Sequence, residues 1–180
     1  MADVHAMLQA AIAGRFEVER QIGKGGWAMV FLARRTDSDE PVAVKVLRPE
    51  FARFVGAERF HREVALLGTL SHANILPLVE SGQAGALLYY IMPYAEGQSL
   101  RERLEREPQL PLADVAGIVR GIAAALDYAH ARNIVHRDIK PDNVLFLGGR
   151  PMVSDFGIAR AIVQAGGEDL SSSGLIPGTP

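Results

Sequence analysis

A chain of 180 residues is long enough to bury a core, as one domain or two small lobes, and 48% hydrophobic with 22% charged residues exclude a wholly disordered polymer. With 19 basic against 21 acidic side chains the net charge is -2, so composition gives no reason to expect nucleic acid or an anionic membrane as partner. Zero cysteines exclude disulfides, thiolate-bound zinc and thiol catalysis and suit a reducing cytoplasm, and no apolar run reaches the roughly 18 residues that span a bilayer.

The first segment, "MADVHAMLQAAIAG", spaces Val4, Met7, Leu8, Ala11 and Ile12 as one helical stripe. It carries Asp3 and no basic leader, which predicts a short amphipathic helix packed on the domain rather than a targeting signal. From Phe16 to Leu47 the pattern is strand-like: "FEVERQI" alternates, "VFLARR" follows a Gly-rich turn, and "VAVKVL" follows the polar turn "TDSDE". A helix is expected from about Ala57 to Leu70. The runs "ILPLVES" and "LLYYIMPY" then complete a five-stranded antiparallel sheet carrying one helix.

Beyond Tyr94 the character changes. Ser99 to Glu102 spells the capping box S-x-x-E and opens a short helix. The segment "PLADVAGIVRGIAAALDYAHARN" puts Leu112, Val115, Val119, Ile122, Leu126 and Ala129 on one helical stripe, with Pro at its start and Asn at its end. "NVLFL" and "PMVSD" flank "GGR" as a hairpin, and the tail "GGEDLSSSGLIPGTP" reads as a loop.

Five features carry chemistry. "IGKGGWAMV", from Ile22 to Val30, has Gly23, Gly25 and Gly26 around Lys24. Such glycines let a backbone approach an anion, although a hairpin turn without a ligand carries the same residues. On "VAVKVL", alternation puts Val42, Val44 and Val46 on one face and Ala43 with Lys45 on the other. On the following helix Glu63 interrupts the apolar face of Phe60, Leu67 and Leu70, and a core-facing carboxylate wants a partner such as Lys45. A structural salt bridge explains that pair equally well.

The polar loop "HRDIKPDN", His136 to Asn143, supplies Asp138 to accept a proton or orient a hydroxyl and Lys140 to neutralise a phosphoryl group. Asn143 offers an amide oxygen to a hard cation. Asp155 in "SDFG" offers a carboxylate, and two oxygen ligands beside phosphate oxygens suit Mg2+. Alone, D-F-G is also an ordinary turn with a capping Asp.

Taken in order, a glycine loop with trailing Val30, a strand Lys, a helix Glu, H-R-D-x-K-x-x-N and D-F-G follow the protein-kinase set. From Phe16 to Pro180 the chain resembles a protein kinase, and "IGKGGWAMVFLARR" with "VHRDIKPDNVL" resembles the bacterial Ser/Thr kinases of eukaryotic type. The resemblance implies an α+β, two-lobed protein-kinase-like fold. Residues 1–15 are then an N-terminal helical extension, 16–94 an N-lobe with the five-stranded sheet and its helix, and 95–180 a partial, mostly helical C-lobe.

It also implies roles. Ile22, Val30, Ala43 and Leu145 would line an adenine pocket, with Met92 as gatekeeper and Pro93 and Ala95 as hinge. Gly23, Lys24, Gly25 and Gly26 would cover the phosphates, and Lys45, paired to Glu63, would hold the α- and β-phosphates. Asp138 would be the base, Lys140 the γ-phosphate clamp, and Asn143 and Asp155 the ligands of Mg2+. Leu67, Leu78, His136 and Phe156 match stacked side chains that link the lobes, so His136 is expected to be structural. Ser99 matches a ribose contact but serves its capping box as well.

The expected activity is transfer of the ATP γ-phosphoryl group to Ser or Thr hydroxyls of protein substrates, autophosphorylation included. Lys140 favours Ser/Thr acceptors, Thr179 matches the threonine that helps form the acceptor site, and Ser171 to Gly174 is a candidate phosphosite whose phosphate would pair with Arg137. A cytoplasmic location is expected, with no nucleic acid and no membrane contact within this segment; an anchor beyond residue 180 stays open. Two alternatives are a nucleotide-binding regulatory module without catalysis and a small-molecule phosphotransferase. Ala28 replaces the third loop glycine, and Trp27 at the loop tip has no assigned role. A-P-E and the helices that follow it in the family do not occur before Pro180, so this stretch is expected to be inactive alone.

Overall fold

The computed structural model describes residues 4–96 and 99–156, which fall into two compact units. One takes the described part of Met1–Ala65 with Leu78–Tyr94; the other takes Leu66–Pro77 and the described part of Ala95–Ala159. Gly157, the Ser171 to Gly174 segment and Thr179 lie outside the described residues.

The first unit is built on an antiparallel sheet of β1 (Phe16–Lys24), β2 (Ala28–Arg35), β3 (Pro41–Leu47), β4 (Glu80–Ala84) and β5 (Leu87–Pro93), in the order β1-β2-β3-β5-β4. Alternation along the strands decides its faces. Val42, Val44 and Val46 join Phe31, Ala33, Tyr89 and Ile91 in one buried cluster. Helix α1 (Val4–Ile12) caps this cluster with Leu8 and Ile12, both fully buried, and with partly buried Val4, Met7 and Ala11, the stripe expected from the sequence. Each fully buried aliphatic side chain contributes about 1.5–3 kcal/mol. Gln9 fixes the register of α1 on β1: its Oε1 accepts from the Val18 amide at 2.6 Å, and its Nε2 donates to the Phe16 carbonyl at 3.3 Å.

Two expectations for this unit need correction. Helix α3 (Ala57–Gly68) occupies the predicted place, but a separate helix α2 (Pro49–Val55) precedes it. Pro49 opens α2 at a position where no N–H is required, and Gly56 stops it at φ 72, a conformation costly for any other residue. The strand expected over "ILPLVES" is instead β4, beginning at Glu80. Pro77 has no amide to donate to a ladder, while Ile75 forms a parallel bridge with Val153 and the Leu76 amide donates to the Val153 carbonyl at 2.9 Å.

The second unit contains α4 (Leu100–Arg106), α5 (Leu112–His130) and the hairpin of β6 (Val144–Leu147) and β7 (Arg150–Val153). Ser99 and Glu102 form the capping box of α4: the Ser99 amide donates to Glu102 Oε2 at 2.8 Å, and the Glu102 amide donates to Ser99 Oγ at 3.2 Å. Gly148 and Gly149, at φ 56 and 76, make the tight turn between β6 and β7.

Helix α5 departs from its predicted stripe. Ile122, Leu126 and Ala129 pack on the core, but Leu112, Val115 and Val119 are exposed, Leu112 at 83%. The buried line is Ile118, Gly121, Ala125 and Ala129. At position 121 a small residue wins because the side chains of Asn74 and Pro151 come close. A Cβ at Gly121 would lie 2.8 Å from Asn74 Nδ2 and 3.0 Å from Pro151 Cγ. The same Asn74 Nδ2 donates to the Pro151 carbonyl at 2.8 Å, and the Val153 amide donates to the Asn74 carbonyl at 2.8 Å, so Gly121 lets α5 sit against the end of the hairpin.

Candidate active site

In the first unit the candidate nucleotide residues are set by strand register. Ile22, Gly23 and Lys24 end β1, Gly25 and Gly26 form the turn, and Val30 lies on β2 opposite both Gly23 and Lys45. On the next ladder Ala43 faces Met92 and Val42 faces Pro93. Val30, Ala43, Lys45 and Met92 therefore share the sheet face opposite the cluster capped by α1. Ala43 and Met92 are buried there at 5% and 8% exposure, a flat apolar floor next to one lysine. Glu63 lies half-buried on α3 beside the buried Phe60 and Val64.

The glycines of the turn have a telling property. A Cβ at Gly23 would meet only Val30 atoms at 3.6 Å, and one at Gly25 only the Ala28 carbonyl at 3.6 Å, both ordinary contacts. Neither residue has a positive φ. The chain's own packing thus gives no reason for glycine at either place, whereas close approach of a ligand to the backbone does.

The second unit assembles the polar loop. Pro141 starts a single 3-10 turn, Pro141–Asn143, and the Asn143 amide donates to the Lys140 carbonyl at 3.0 Å. Asp138 is held from two sides: Lys140 Nζ lies 2.8 Å from its Oδ2, and Asn143 Nδ2 donates to the same oxygen at 3.1 Å. Asn143 Nδ2 also donates to the Asp138 carbonyl at 2.7 Å, which turns the amide oxygen away from Asp138. Asn143 is itself buried at 7% exposure, and its carbonyl accepts from the Ser154 amide at 2.9 Å, tying the loop to the residue before Asp155.

His136 is the foundation of this loop. It is 1% exposed, its Nδ1 accepts from the Asp138 amide at 3.2 Å, and its Nε2 lies 2.7 Å from the Ser154 carbonyl. An acceptor at Nδ1 and a carbonyl at Nε2 fix the neutral tautomer with the proton on Nε2. Burial holds its pKa below the usual value, with Lys140 pushing the same way against Asp155, Asp138 and the Ser154 bond. Its ring meets Phe156 edge-on at 4.6 Å, and Phe156 belongs with Leu67 to the core of the second unit. Leu78 falls in the first unit.

Arg137 and Asp155 both take positive φ, 71 and 64. That conformation is uncommon for residues with side chains and clusters at working loops. Leu145 lies on β6 and pairs with Ser99 in an isolated bridge, and Ala95 follows β5. The donor chemistry fits a hard cation: an amide oxygen at Asn143 and a carboxylate at Asp155 match what Mg2+ takes from proteins alongside phosphate oxygens. Among the described residues no cluster of three His, Cys, Asp or Glu exists that would hold a metal by itself. No helix among them is long and apolar enough to cross a membrane.

Trp27 was missed by the sequence reading. Its ring lies 5.1 Å from that of Phe51 on α2, and its carbonyl accepts from the Arg48 amide at 2.9 Å. Only the fold could supply these partners.

Comparison with known proteins agrees with this geometry. The family model described as protein kinase domain matches residues 16–173. The serine/threonine-protein kinase PrkC of Bacillus subtilis is 39% identical over 84% of this chain and 24% of its own length. PknJ of Mycobacterium tuberculosis, also a serine/threonine-protein kinase, is 35% identical over 97% of this chain and 30% of its own length. The chain thus spans about a quarter to a third of these curated relatives. The crystal structure of the M. tuberculosis PknI kinase domain superposes with a TM-score of 0.69 at 34% identity, over 81% of this chain and 59% of that one. The five-stranded sheet with its helix, the H-R-D loop and these matches lead to one statement: the chain belongs to the protein kinase family, among the bacterial kinases of eukaryotic type.

Proposed function

We propose that this chain carries the ATP-binding and catalytic-loop residues of a serine/threonine protein kinase, which transfers the γ-phosphoryl group of ATP to protein Ser or Thr hydroxyls in the cytoplasm. The observation that carries the reading is the double hold on Asp138. A carboxylate fixed by Lys140 and Asn143 on a loop anchored through buried His136 is a preorganised proton acceptor, not a loose surface acid.

When bound, Mg-ATP supplies the transferable phosphoryl group and the positive charge that screens it. The residues of this chain do the rest. Gly23 and Gly25 let the hairpin backbone approach the phosphates, and Lys45, with Glu63 as its candidate partner, neutralises the α- and β-oxygens. Val30, Ala43 and Met92 floor the adenine, with Ile22, Leu145, Pro93 and Ala95 as further contacts. Asn143 and Asp155 hold Mg2+. Asp138 orients the acceptor hydroxyl and takes its proton as the oxygen bonds to the γ-phosphorus and the bond to the bridging oxygen breaks, releasing ADP. Lys140, already beside Asp138, stabilises the charge on the transferring group.

The test is phosphoamino-acid analysis after incubation of the full-length protein with γ-labelled ATP and a Ser/Thr-containing protein acceptor. Phosphoserine or phosphothreonine is expected, in the acceptor and in the chain. Binding of ATP with no transfer would replace this reading with a regulatory module, and transfer to a small alcohol alone would replace it with a small-molecule phosphotransferase.

A further inference from the structure

The glycine hairpin has little of its own to hold it in place, since β1 is an edge strand and the turn carries Gly25 and Gly26 after Gly23 in β1. Yet the tip is tied down at three points. The indole of Trp27 lies on Phe51 at 5.1 Å with the rings tilted by 49°, the Arg48 amide donates to the Trp27 carbonyl at 2.9 Å, and Arg48 Nη1 donates to the Gly26 carbonyl at 3.3 Å. Arg48 is itself steadied by Glu50 at 2.7 Å. Phe51 is 4% exposed, a firm seat on α2, whereas Trp27 is half-buried. A half-buried indole reaching from a loop onto a seated ring restrains the loop more than it completes a core.

We propose that Trp27 is a positioning residue for nucleotide phosphate: seated on Phe51, it latches the glycine hairpin to α2 in the placement that receives the phosphate chain. This rests on the nucleotide reading above. The physical argument is population. Apparent affinity is the intrinsic affinity multiplied by the fraction of hairpins already in place, so a latch that raises this fraction tightens binding without touching the ligand. An aromatic pair is worth enough to change that fraction up to about tenfold. The gain falls chiefly on the phosphates, because Ala43 and Met92 of the adenine floor lie on β3 and β5, outside the hairpin, which brings only Val30 and Ile22 to the base.

The experiment compares Mg-ATP and adenosine binding by calorimetry in the full-length protein, for wild type, Trp27→Ala and Trp27→Phe, with circular dichroism as the folding control. Trp27→Ala is expected to weaken Mg-ATP about three- to tenfold while leaving adenosine within about twofold, and Trp27→Phe, which keeps a ring on Phe51, is expected to restore Mg-ATP binding. A second readout is independent of binding. Trp27 is the single tryptophan of these 180 residues, so in this chain Phe51→Tyr should keep its emission and Phe51→Ala should shift it to the red. Equal weakening of adenosine and Mg-ATP by Trp27→Ala, or no weakening of either, would overturn the proposal. Wild type that binds neither ligand would overturn the nucleotide reading itself, and the proposal with it, even with the emission shift intact.

Discussion

Two glycines on α5 should respond to alanine with opposite signs. At Gly117 a Cβ meets nothing within 4 Å, so Gly117→Ala collects only the better helix propensity of alanine, a stabilisation of about 0.5–1 kcal/mol. At Gly121 the same gain is opposed. The new Cβ would stand 2.8 Å from Asn74 Nδ2 and 3.3 Å from Asn74 Cγ, and Asn74 cannot retreat without giving up its 2.8 Å bond to the Pro151 carbonyl. Loss of that bond with its groups left unsatisfied costs about 1–3 kcal/mol, and overpacking costs about 1–3 kcal/mol more. The net expectation for Gly121→Ala is a destabilisation of about 1–5.5 kcal/mol, even after the propensity gain. Urea unfolding of the two variants beside wild type measures this directly, as a midpoint shifted up for Gly117→Ala and down for Gly121→Ala at unchanged slope. Equal shifts in the same direction would refute the account of how α5 meets the hairpin.

Other expectations follow from the same contacts. Leu8→Ala, at a fully buried site under the sheet, should destabilise the first unit by about 2–5 kcal/mol in the same assay. Asn143→Ala removes both side-chain hydrogen bonds to Asp138 and should lower phosphoryl transfer by about a hundredfold while the circular dichroism spectrum is kept. His136 has a folded pKa depressed below 6.5, so the unfolded chain binds its proton first. Its stabilising contribution is complete above pH 6.5 and is lost as pH falls from there toward the folded value. Unfolding midpoints should therefore drop between neutral pH and about pH 5 more steeply in wild type than in His136→Gln.

Much of the fold was legible because local rules and burial agree. The alternation of Val42, Val44 and Val46, the stripe from Val4 to Ile12, the box of Ser99 and Glu102 and the Gly148–Gly149 turn each answer to nearby residues alone. What stayed hidden depends on partners distant in sequence. Pro77 leaves the run it was assigned to because Ile75 and Leu76 find Val153. The stripe of α5 rotates because Asn74 and Pro151 demand a small residue at 121, a demand invisible in "GIVRGIA". Helix α2 escaped because a single glycine, Gly56, splits a stretch that reads as one connection and one helix. The loop from His136 to Asn143 was legible as chemistry, but the Lys140 and Asn143 hold on one oxygen of Asp138 is a product of the 3-10 turn. Trp27 went unexplained because its seat, Phe51, lies on that unforeseen helix.

The central claim is that Asp138 is a proton acceptor held ready for the chemical step. The measurement that bears on it most directly is a single-turnover transfer of labelled γ-phosphoryl from Mg-ATP in the full-length protein, comparing wild type with Asp138→Asn and accompanied by Mg-ATP binding for both. The account predicts that Asp138→Asn slows the chemical step by about 10²–10⁴-fold while Mg-ATP affinity stays within about threefold. Transfer at the wild-type rate by Asp138→Asn would contradict it.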